Sequence, residues 1–191
     1  MNSLILDSST KNLYVCLVMD DRIVYEKYVE GRNDHAKNIV FCVDEALKAG
    51  NIDTDDLNRI IVGNGPGSYT GVRMAVSVCK MMAVFKNVDL YEISTLKLMA
   101  SGYKGVVMAS IDARRGNAFS CVVNTITNNE ILADGLYSYD SLSTYDKDYS
   151  VNENEFKVDP IYCINNSTKV LEPHLLVPNY LRDTEAERNL K

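Results

Sequence analysis

A glycine-rich loop is the segment of this sequence best suited to bind a ligand through its backbone. Residues 63–73 read GNGPGSYTGVR and lie between an apolar stretch, 60–62, and a helix-like stretch that begins near Gly71. Glycine reaches positive φ at no steric cost, and free N–H groups at a helix N-terminus favour an anion or an acceptor of another chain. The loop therefore predicts a phosphate or nucleotide site. Its residues in this loop are Gly65, Gly67, Ser68 and Gly71.

Two known phosphate-binding fingerprints fit this loop poorly. A P-loop needs a Lys followed by Ser or Thr after its last glycine, whereas Val72 and Arg73 stand there. The dinucleotide fingerprint needs an acid about 20 residues further on, and Asp89 and Glu92 keep that alternative open. However, Pro66 interrupts the glycine spacing that this fingerprint requires.

The composition is that of an ordinary globular protein. The chain has 191 residues and 46% hydrophobic residues, enough for one domain or two small ones. No apolar run approaches the roughly 20 residues of a membrane span, and the N-terminus opens directly into a strand pattern, so we expect a cytoplasmic protein with no membrane contact. The five widely spaced cysteines predict buried, reduced thiols. A net charge of −6 argues against binding RNA without a partner.

The same strand pattern occurs twice along the chain. A strand ending on Asp7, a polar turn and a strand at 13–19 are matched by a strand ending on Asp112, a turn and a strand at 118–123. Asp112 follows Asp7 by 105 positions (residue 112 minus residue 7), and four further pairs along the two hairpins share this offset. The repeat predicts two similar subdomains, although ordinary hairpin residues would also produce it.

Two helices are predicted between these hairpins. The first runs from His35 to Ala49, with Asn33 and Asp34 as candidate caps and Gly50 at its end. Its apolar residues recur at helical spacing and predict one core-facing side. Those residues are Ala36, Ile39, Val40, Val43 and Leu47.

The second predicted helix, 71–85, is apolar around most of its circumference. Its polar residues Arg73, Ser77 and Lys80 form one stripe, which leaves an apolar arc wider than the roughly 100° that a surface helix usually buries. Either this helix is completely buried as a crossover helix, or its outer side contacts a partner. The element order of the first half is then β-β-β-α-β-α.

Five segments, in order along the chain, carry a resemblance to a known family. They are LILDSST at 4–10, GNGPGSYTGVR at 63–73, ISTL at 93–96, IDARRG at 111–116 and PNYLR at 178–182. In these segments the chain resembles the bacterial TsaB family, formerly called YeaZ, whose members help to make threonylcarbamoyladenosine in transfer RNA. The stretch 137–177 is shorter and more polar than is usual in that family.

The resemblance implies an α/β fold of the actin-like ATPase (ASKHA, ribonuclease H-like) type. Two βββαβα-type subdomains, the second one reduced, would pack side by side with a cleft between them. Gly102 marks the expected seam, which gives an N-terminal subdomain at 1–102 and a shortened C-terminal subdomain at 103–191. In such a fold Asp7 and Asp112 would face each other across the cleft, where active relatives hold magnesium and phosphates.

The resemblance also gives a reading of the hydroxyl run Ser8, Ser9 and Thr10. These residues correspond to a phosphate-binding turn in active relatives, but their hydroxyls would equally satisfy a tight hairpin without a ligand. We therefore expect a vestigial or weak nucleotide site. We expect no catalytic residue and no metal.

Partners are the main implication of the resemblance. TsaB proteins pair through the two helices with TsaD, the catalytic subunit, or with themselves, and the ATPase TsaE is a further partner. No cofactor is expected, although a nucleotide at the contact with TsaD stays open as an alternative, and transfer RNA is reached only through the complex. The expected interface residues are His35, Ile39, Val43, Arg73, Met74, Val78, Met81, Met82, Arg114 and Arg115. The two adjacent arginines could instead bind phosphate.

The function implied is that of a non-catalytic subunit that positions or activates TsaD. A different class, a small actin-like kinase or ATPase acting through Asp7 and Asp112, stays as the alternative. A metal-dependent peptidase is disfavoured, because His35 and His174 are the only histidines and do not form the pair, four residues apart, that holds metal in TsaD-type proteins.

Overall fold

The computed structural model describes residues 1–30 and 35–181, without the side chains of 35–37. Asn33, Asp34, Arg182 and the side chain of His35, all named above, therefore lie outside the described residues. The strands are β1 (Asn2–Asp7), β2 (Asn12–Met19), β3 (Arg22–Glu30), β4 (Arg59–Gly63), β5 (Asp89–Ile93), β6 (Val106–Asp112), β7 (Asn117–Asn124), β8 (Asn129–Ser138), β9 (Tyr149–Asn152) and β10 (Thr168–Lys169). The helices are α1 (His35–Gly50), α2 (Tyr69–Lys86), α3 (Thr95–Ala100), α4 (Tyr139–Leu142) and α5 (Pro160–Asn166).

The first sheet has the strand order β10-β5-β4-β1-β2-β3. Its centre is parallel, because β1 pairs with β4 and β4 with β5 in the same direction, while β2 and β3 run antiparallel. Strand β1 is buried on both faces and accordingly reads as a continuous apolar run. Strand β3 forms the sheet edge and alternates between exposed and half-buried residues.

The second sheet repeats the order of the first. Its order β8-β7-β6-β9 matches β3-β2-β1-β4, and β6 is antiparallel to β7 and parallel to β9, as β1 is to β2 and β4. The predicted repeat of the strand pattern therefore corresponds to a structural repeat. The helices of the second half are much shorter, since α4 has 4 residues where α1 has 16.

The helices pack in two places, on the outer face of the first sheet and between the two sheets. On the outer face of the first sheet, α1 and α2 bury a core against β1 and β2. Between the sheets, α3 contributes Leu98 to the core of the first sheet and Leu96 and Met99 to the core of the second. Phe156 packs against both of these cores, and Cys163 of α5 adds to the first.

The chain returns to the first sheet after β9. Strand β10 pairs with β5, and the segment 173–181, here called the C-terminal strap, then runs along α2. Lys80 Nζ donates to the carbonyl of Leu176 at 2.8 Å, and the Tyr180 ring stacks on Tyr69 at 4.5 Å between centroids. The first sheet thus takes its last strand from the range 103–191, and a subdomain boundary near residue 102 stays a prediction.

Two expectations from composition can be compared with the fold. All five cysteines are buried free thiols, as predicted. Among the described residues, no helix combines the length and apolar character needed to cross a bilayer.

Candidate functional site

The glycine loop packs directly against the turn between β1 and β2. A Cβ atom at Gly67 would overlap the carbonyl oxygen of Ser9, and one at Gly71 would overlap that of Ser8. On the other side of the loop, a Cβ at Gly65 would lie 2.6 Å from the carbonyl oxygen of Asn179 in the C-terminal strap. Glycine is needed here because protein backbone approaches the loop so closely from two sides.

Several N–H groups of this loop bond to acceptors within the protein. Ser68 N donates to Ser9 O at 2.6 Å, and Gly65 N donates to Thr95 Oγ1 at 3.0 Å. At the start of α2, Gly71 N donates to the Ser68 side chain at 3.3 Å, so Ser68 caps this helix. These donors are the ones that a phosphate would have required.

Asp7 lies at the centre of this contact. Its carboxylate accepts from Ser9 N at 2.7 Å and from the Thr95 hydroxyl at 2.5 Å. Burial raises the pKa of Asp7 above its ordinary value, although the hydrogen bonds from Thr95 and Ser9 oppose this change. Asp7 therefore joins β1, the following turn and the start of α3 in the interior.

Asp112 does not face Asp7, which corrects the expectation of two matching acids across a cleft. Asp7 pairs with Tyr14, but Phe119, which follows Tyr14 by the offset of the repeat, pairs with Ile111. The two hairpins thus differ in register by one residue, and such a slip reverses which side chains face the core. Asp112 is exposed on the outer side of the second sheet, where the Tyr139 hydroxyl donates to it at 3.4 Å.

The hydroxyl run after Asp7 is buried and bonded to protein groups. Ser8 Oγ donates to the Gly71 carbonyl at 2.8 Å, and Ser9 Oγ donates to Asp7 at 3.2 Å. Thr10 Oγ1 donates to the Asn12 carbonyl at 3.1 Å and so closes the hairpin. The structure therefore brings the β1–β2 turn and the glycine loop together, and the hydroxyls satisfy the turn itself.

The outer surface of α1 and α2 is apolar and exposed. On α2, Met81 and Phe85 are 52% and 81% exposed, so the interpretation of this helix as completely buried is wrong. On α1, Phe41 is exposed, and so is Val40, which the periodicity had assigned to the core-facing side. The two helices contact each other, so these side chains lie on one side of the first subdomain.

Several predicted interface residues lie deeper than expected. Ile39 and Val43 are buried between α1 and the sheet, so their assignment to a partner surface is corrected. Met74, Val78 and Met82 are half-buried and pack against the same core. Side chains on one face of a helix recur every three to four residues. The predicted interface residues named here repeat at that spacing on the face that packs against the sheet, not on the outer face.

A groove of about 360 Å³ runs along the first half of α2. Its lining includes Tyr69, Met74 and Val78, and the Arg73 guanidinium lies 5.7 Å from the Tyr69 ring. Arg73 is exposed, as predicted for a surface residue. The groove continues the apolar outer surface of α2 towards the glycine loop.

Arg114 and Arg115 lie elsewhere, in the exposed turn between β6 and β7. Both adopt left-handed backbone conformations, with φ of 65° and 56°. Arg114 N donates to Asp112 at 3.0 Å, so this pair belongs to the second sheet. Within the described residues, no group of three or more His, Cys, Asp or Glu side chains is placed to hold a metal ion.

The comparison with protein families agrees with this geometry. Residues 30–148 match the family model described as TsaD: tRNA N6-adenosine threonylcarbamoyltransferase. The chain belongs to this family. Its curated relatives include the TsaB proteins, described as tRNA threonylcarbamoyladenosine biosynthesis proteins, so the resemblance to TsaB (YeaZ) is confirmed.

The identities to these TsaB proteins are moderate. The protein of Bacillus subtilis is 29% identical over 123 residues, which cover 63% of this chain and 54% of the relative. The protein of Escherichia coli is 31% identical over 124 residues, which cover 62% and 53%. The chain thus spans about half the length of the curated relatives it matches.

Solved structures establish the fold over nearly the whole chain. YeaZ from Pseudomonas aeruginosa superposes with a TM-score of 0.77 at 18% identity, covering 94% of this chain and 99% of the other. The predicted α/β fold of two similar sheets with a reduced second half is therefore confirmed.

Sequence reasoning missed three residues that organise this TsaB-type site. Thr95 lies in the motif ISTL, and its hydroxyl bonds both Asp7 and Gly65 N. The backbone carbonyl of Asn64 accepts from Asn179 N at 2.9 Å and so fixes the C-terminal strap to the loop. The motifs ISTL and PNYLR contain two of these residues, but nothing in the sequence shows that they meet the loop in space.

Proposed function

We propose that this chain is a TsaB-type subunit of a complex that makes threonylcarbamoyladenosine in transfer RNA. It docks through the outer surface of α1 and α2 on a TsaD-type transferase and has no reaction centre of its own. The family match and the names of the curated relatives support this assignment.

The observation that carries the proposal is the apolar outer surface of the two helices. Helices of this length already bury one side against the sheet, so further large apolar side chains on the outside are not needed for the core. Large apolar side chains exposed together on one side of a domain typically mark a contact with another protein. The exposed residues on it are Val40, Phe41, Tyr69, Met81, Val84 and Phe85.

The environment of Asp7 and the glycine loop supports the absence of a reaction centre. The buried carboxylate of Asp7 is bonded to Thr95 and Ser9 and so has a structural role. Asp112 lies on the exposed outer side of the second sheet and does not face it. In the loop, the N–H groups of Gly65 and Ser68 bond to protein acceptors. This arrangement disfavours a kinase or ATPase that would use Asp7 and Asp112.

The further parts of the complex are proposed on the family resemblance. They are a TsaE-like ATPase as a third component, a nucleotide at the contact with the TsaD-type subunit, and a homodimer through the same helices when the chain is alone. Transfer RNA would be bound mainly by the partners, since the net charge of −6 opposes phosphate contacts by this chain.

Co-purification with the TsaD-type subunit tests the proposal. The two chains should elute as one complex, and modified transfer RNA should form only when this chain is added to the other components. Separate elution, together with full modification in the absence of this chain, would overturn it.

Nucleotide turnover by the isolated chain distinguishes the proposal from a kinase or ATPase. We expect negligible ATP hydrolysis. Turnover at an enzyme's rate that is lost in Asp7→Ala, in a variant still folded by circular dichroism, would favour the kinase.

A further inference from the structure

A polar cavity lies beside the glycine loop, away from the helical surface discussed above. It has a volume of about 280 Å³ and sits at the carboxyl ends of β4 and β5, bordered by the start of α3 and by the C-terminal strap. Open α/β sheets bind ligands at this end of their parallel strands. Its polar lining includes Asn64, Glu92, Ser94, Lys97 and Asn179.

One buried group at this cavity has no hydrogen-bond partner. Asn64 is 9% exposed, and its Nδ2 donates to the Glu92 carboxylate at 2.5 Å and to the Val177 carbonyl at 3.4 Å. The Oδ1 atom of the same side chain is buried and, within the described residues, accepts no hydrogen bond. A buried acceptor without a hydrogen-bond partner costs about 1–3 kcal/mol of stability. A ligand that donates a hydrogen bond to Oδ1 would remove this cost.

The charged residues around the cavity also favour a ligand that donates hydrogen bonds. Lys97 is paired with Glu130 at 2.8 Å, and Glu92 and Asp134 are further acids near it. Burial raises the pKa of Asp134, while the Ser94 hydroxyl and the Lys97 ammonium lower it.

An anion is a poor candidate for this cavity. The neighbouring backbone donors are already used, since Asn64 N donates to Ile93 O and Gly65 N donates to Thr95. Lys97, the cation in the lining, is neutralised by Glu130. Among the described residues that line the cavity, Glu92 is the charged one without an ion pair, so the site has a negative charge, the reverse of the phosphate site predicted from the loop.

We propose that this cavity binds the ammonium group of a small primary amine. Asn64 Oδ1 and the Glu92 carboxylate accept two of the three N–H donors that an ammonium group carries. At about 30 Å³ per water, the cavity has room for a molecule of several heavy atoms. This binding site is independent of the helical surface and does not rest on the proposed function.

Calorimetric titration of the isolated chain tests the proposal. The probes are putrescine, the neutral analogue butane-1,4-diol and inorganic phosphate, each in 150 mM NaCl, which screens diffuse attraction to the net negative charge. We expect saturable binding of putrescine and none of the diol or phosphate. Binding of putrescine should weaken at least tenfold in Asn64→Leu and in Glu92→Gln.

Asn154→Leu is the matched control, because Asn154 is an exposed residue of the cavity on the second sheet. It should leave putrescine binding unchanged. If Asn64→Leu does not fold, Glu92→Gln alone decides. No saturable binding of putrescine, equal binding by the wild type and Glu92→Gln, or tighter binding of phosphate would each overturn the proposal.

Discussion

The two sheets have the same strand order but differ in what covers their outer faces. On the first sheet, α1 and α2 pack over Leu4 and Leu6 of β1. On the second sheet, Met108 of β6 and Val122 of β7 form a small outer core with Leu142 of α4, and Ser110 and Asp112 line a cavity of about 460 Å³ beside it. The outer core of the second sheet is thus smaller than that of the first, and part of the outer face is polar.

This difference shows where the molecule presents surface to other proteins. The small outer core of the second sheet is covered by Leu142 of α4 and by Tyr145, so the second half needs no long helix there. The first half keeps two long helices that bury one side and expose apolar residues on the other. The contact surface proposed above is accordingly confined to the first half.

The largest expected effect comes from closing the space between the glycine loop and the β1–β2 turn. Gly71→Ala would place a methyl group against the Ser8 carbonyl, and we expect it to cost about 3 kcal/mol or more in the free energy of unfolding, measured in urea. The matched change in the second half is Gly116→Ala, where nothing lies within 4 Å of the added Cβ. Its φ of +75° should cost about 1 kcal/mol.

Equal effects of these two substitutions would mean that the loop does not pack on the turn. In that case its N–H groups would be available after all, and the phosphate site predicted from the sequence would return as an explanation of the glycines.

The next effect concerns partner binding and depends on the proposed function. Met81→Glu with Phe85→Glu places two charges on the outer surface of α2, and affinity for the TsaD-type subunit should fall at least about tenfold, or about 1.4 kcal/mol. Ile126→Glu makes the same kind of change at a residue of the second half that is 70% exposed, and it should leave the affinity unchanged.

Surface charges should change the free energy of unfolding by no more than about 0.5 kcal/mol in both variants, which separates binding from folding. Met74 and Val78 are unsuitable for this test because they pack partly against the core. If Ile126→Glu weakened binding and the α2 pair did not, the contact surface would lie on the second half.

A pH series compares the buried aspartate with the exposed one. The folded pKa of Asp7 lies above its ordinary value of 3.8, so the folded state binds more protons than the unfolded state between these two values. The contribution of Asp7 to stability is therefore complete below pH 3.8 and is lost as the pH rises through the folded pKa. Asp7→Asn should lack this loss, and Asp112→Asn should retain it.

Urea unfolding from pH 4 to pH 7 checks this expectation. Relative to the wild type, Asp7→Asn should gain stability as the pH rises, while the curve of Asp112→Asn should run parallel to that of the wild type. Parallel curves for all three proteins would show that Asp7 is not buried as described.

Much of the fold could be predicted from the sequence, because it depends on local patterns. The apolar strand before Asp7, the helix cap at Ser68 and the strand repeat are each encoded in neighbouring residues. The register of the second hairpin could not be predicted, since a slip of one residue leaves the apolar content unchanged and decides only which face Asp112 occupies. The contacts of Thr95 and Asn179 with the loop join residues far apart in the chain, and no local pattern encodes them.

The smallest expected effect comes from removing the serine that caps the first turn of α2 or of α4. Ser68 caps α2 by accepting from Gly71 N at 3.3 Å, and Ser138 caps α4 by accepting from Ser141 N at 3.2 Å. The bonds are alike, but α2 has 18 residues packed on a sheet and α4 has 4 at an exposed edge. Ser68→Ala should therefore cost about 1 kcal/mol in urea unfolding and Ser138→Ala less than about 0.5 kcal/mol. A larger cost for Ser138→Ala would mean that the short helix holds the second sheet together, and the two halves would then differ less than their helix lengths indicate.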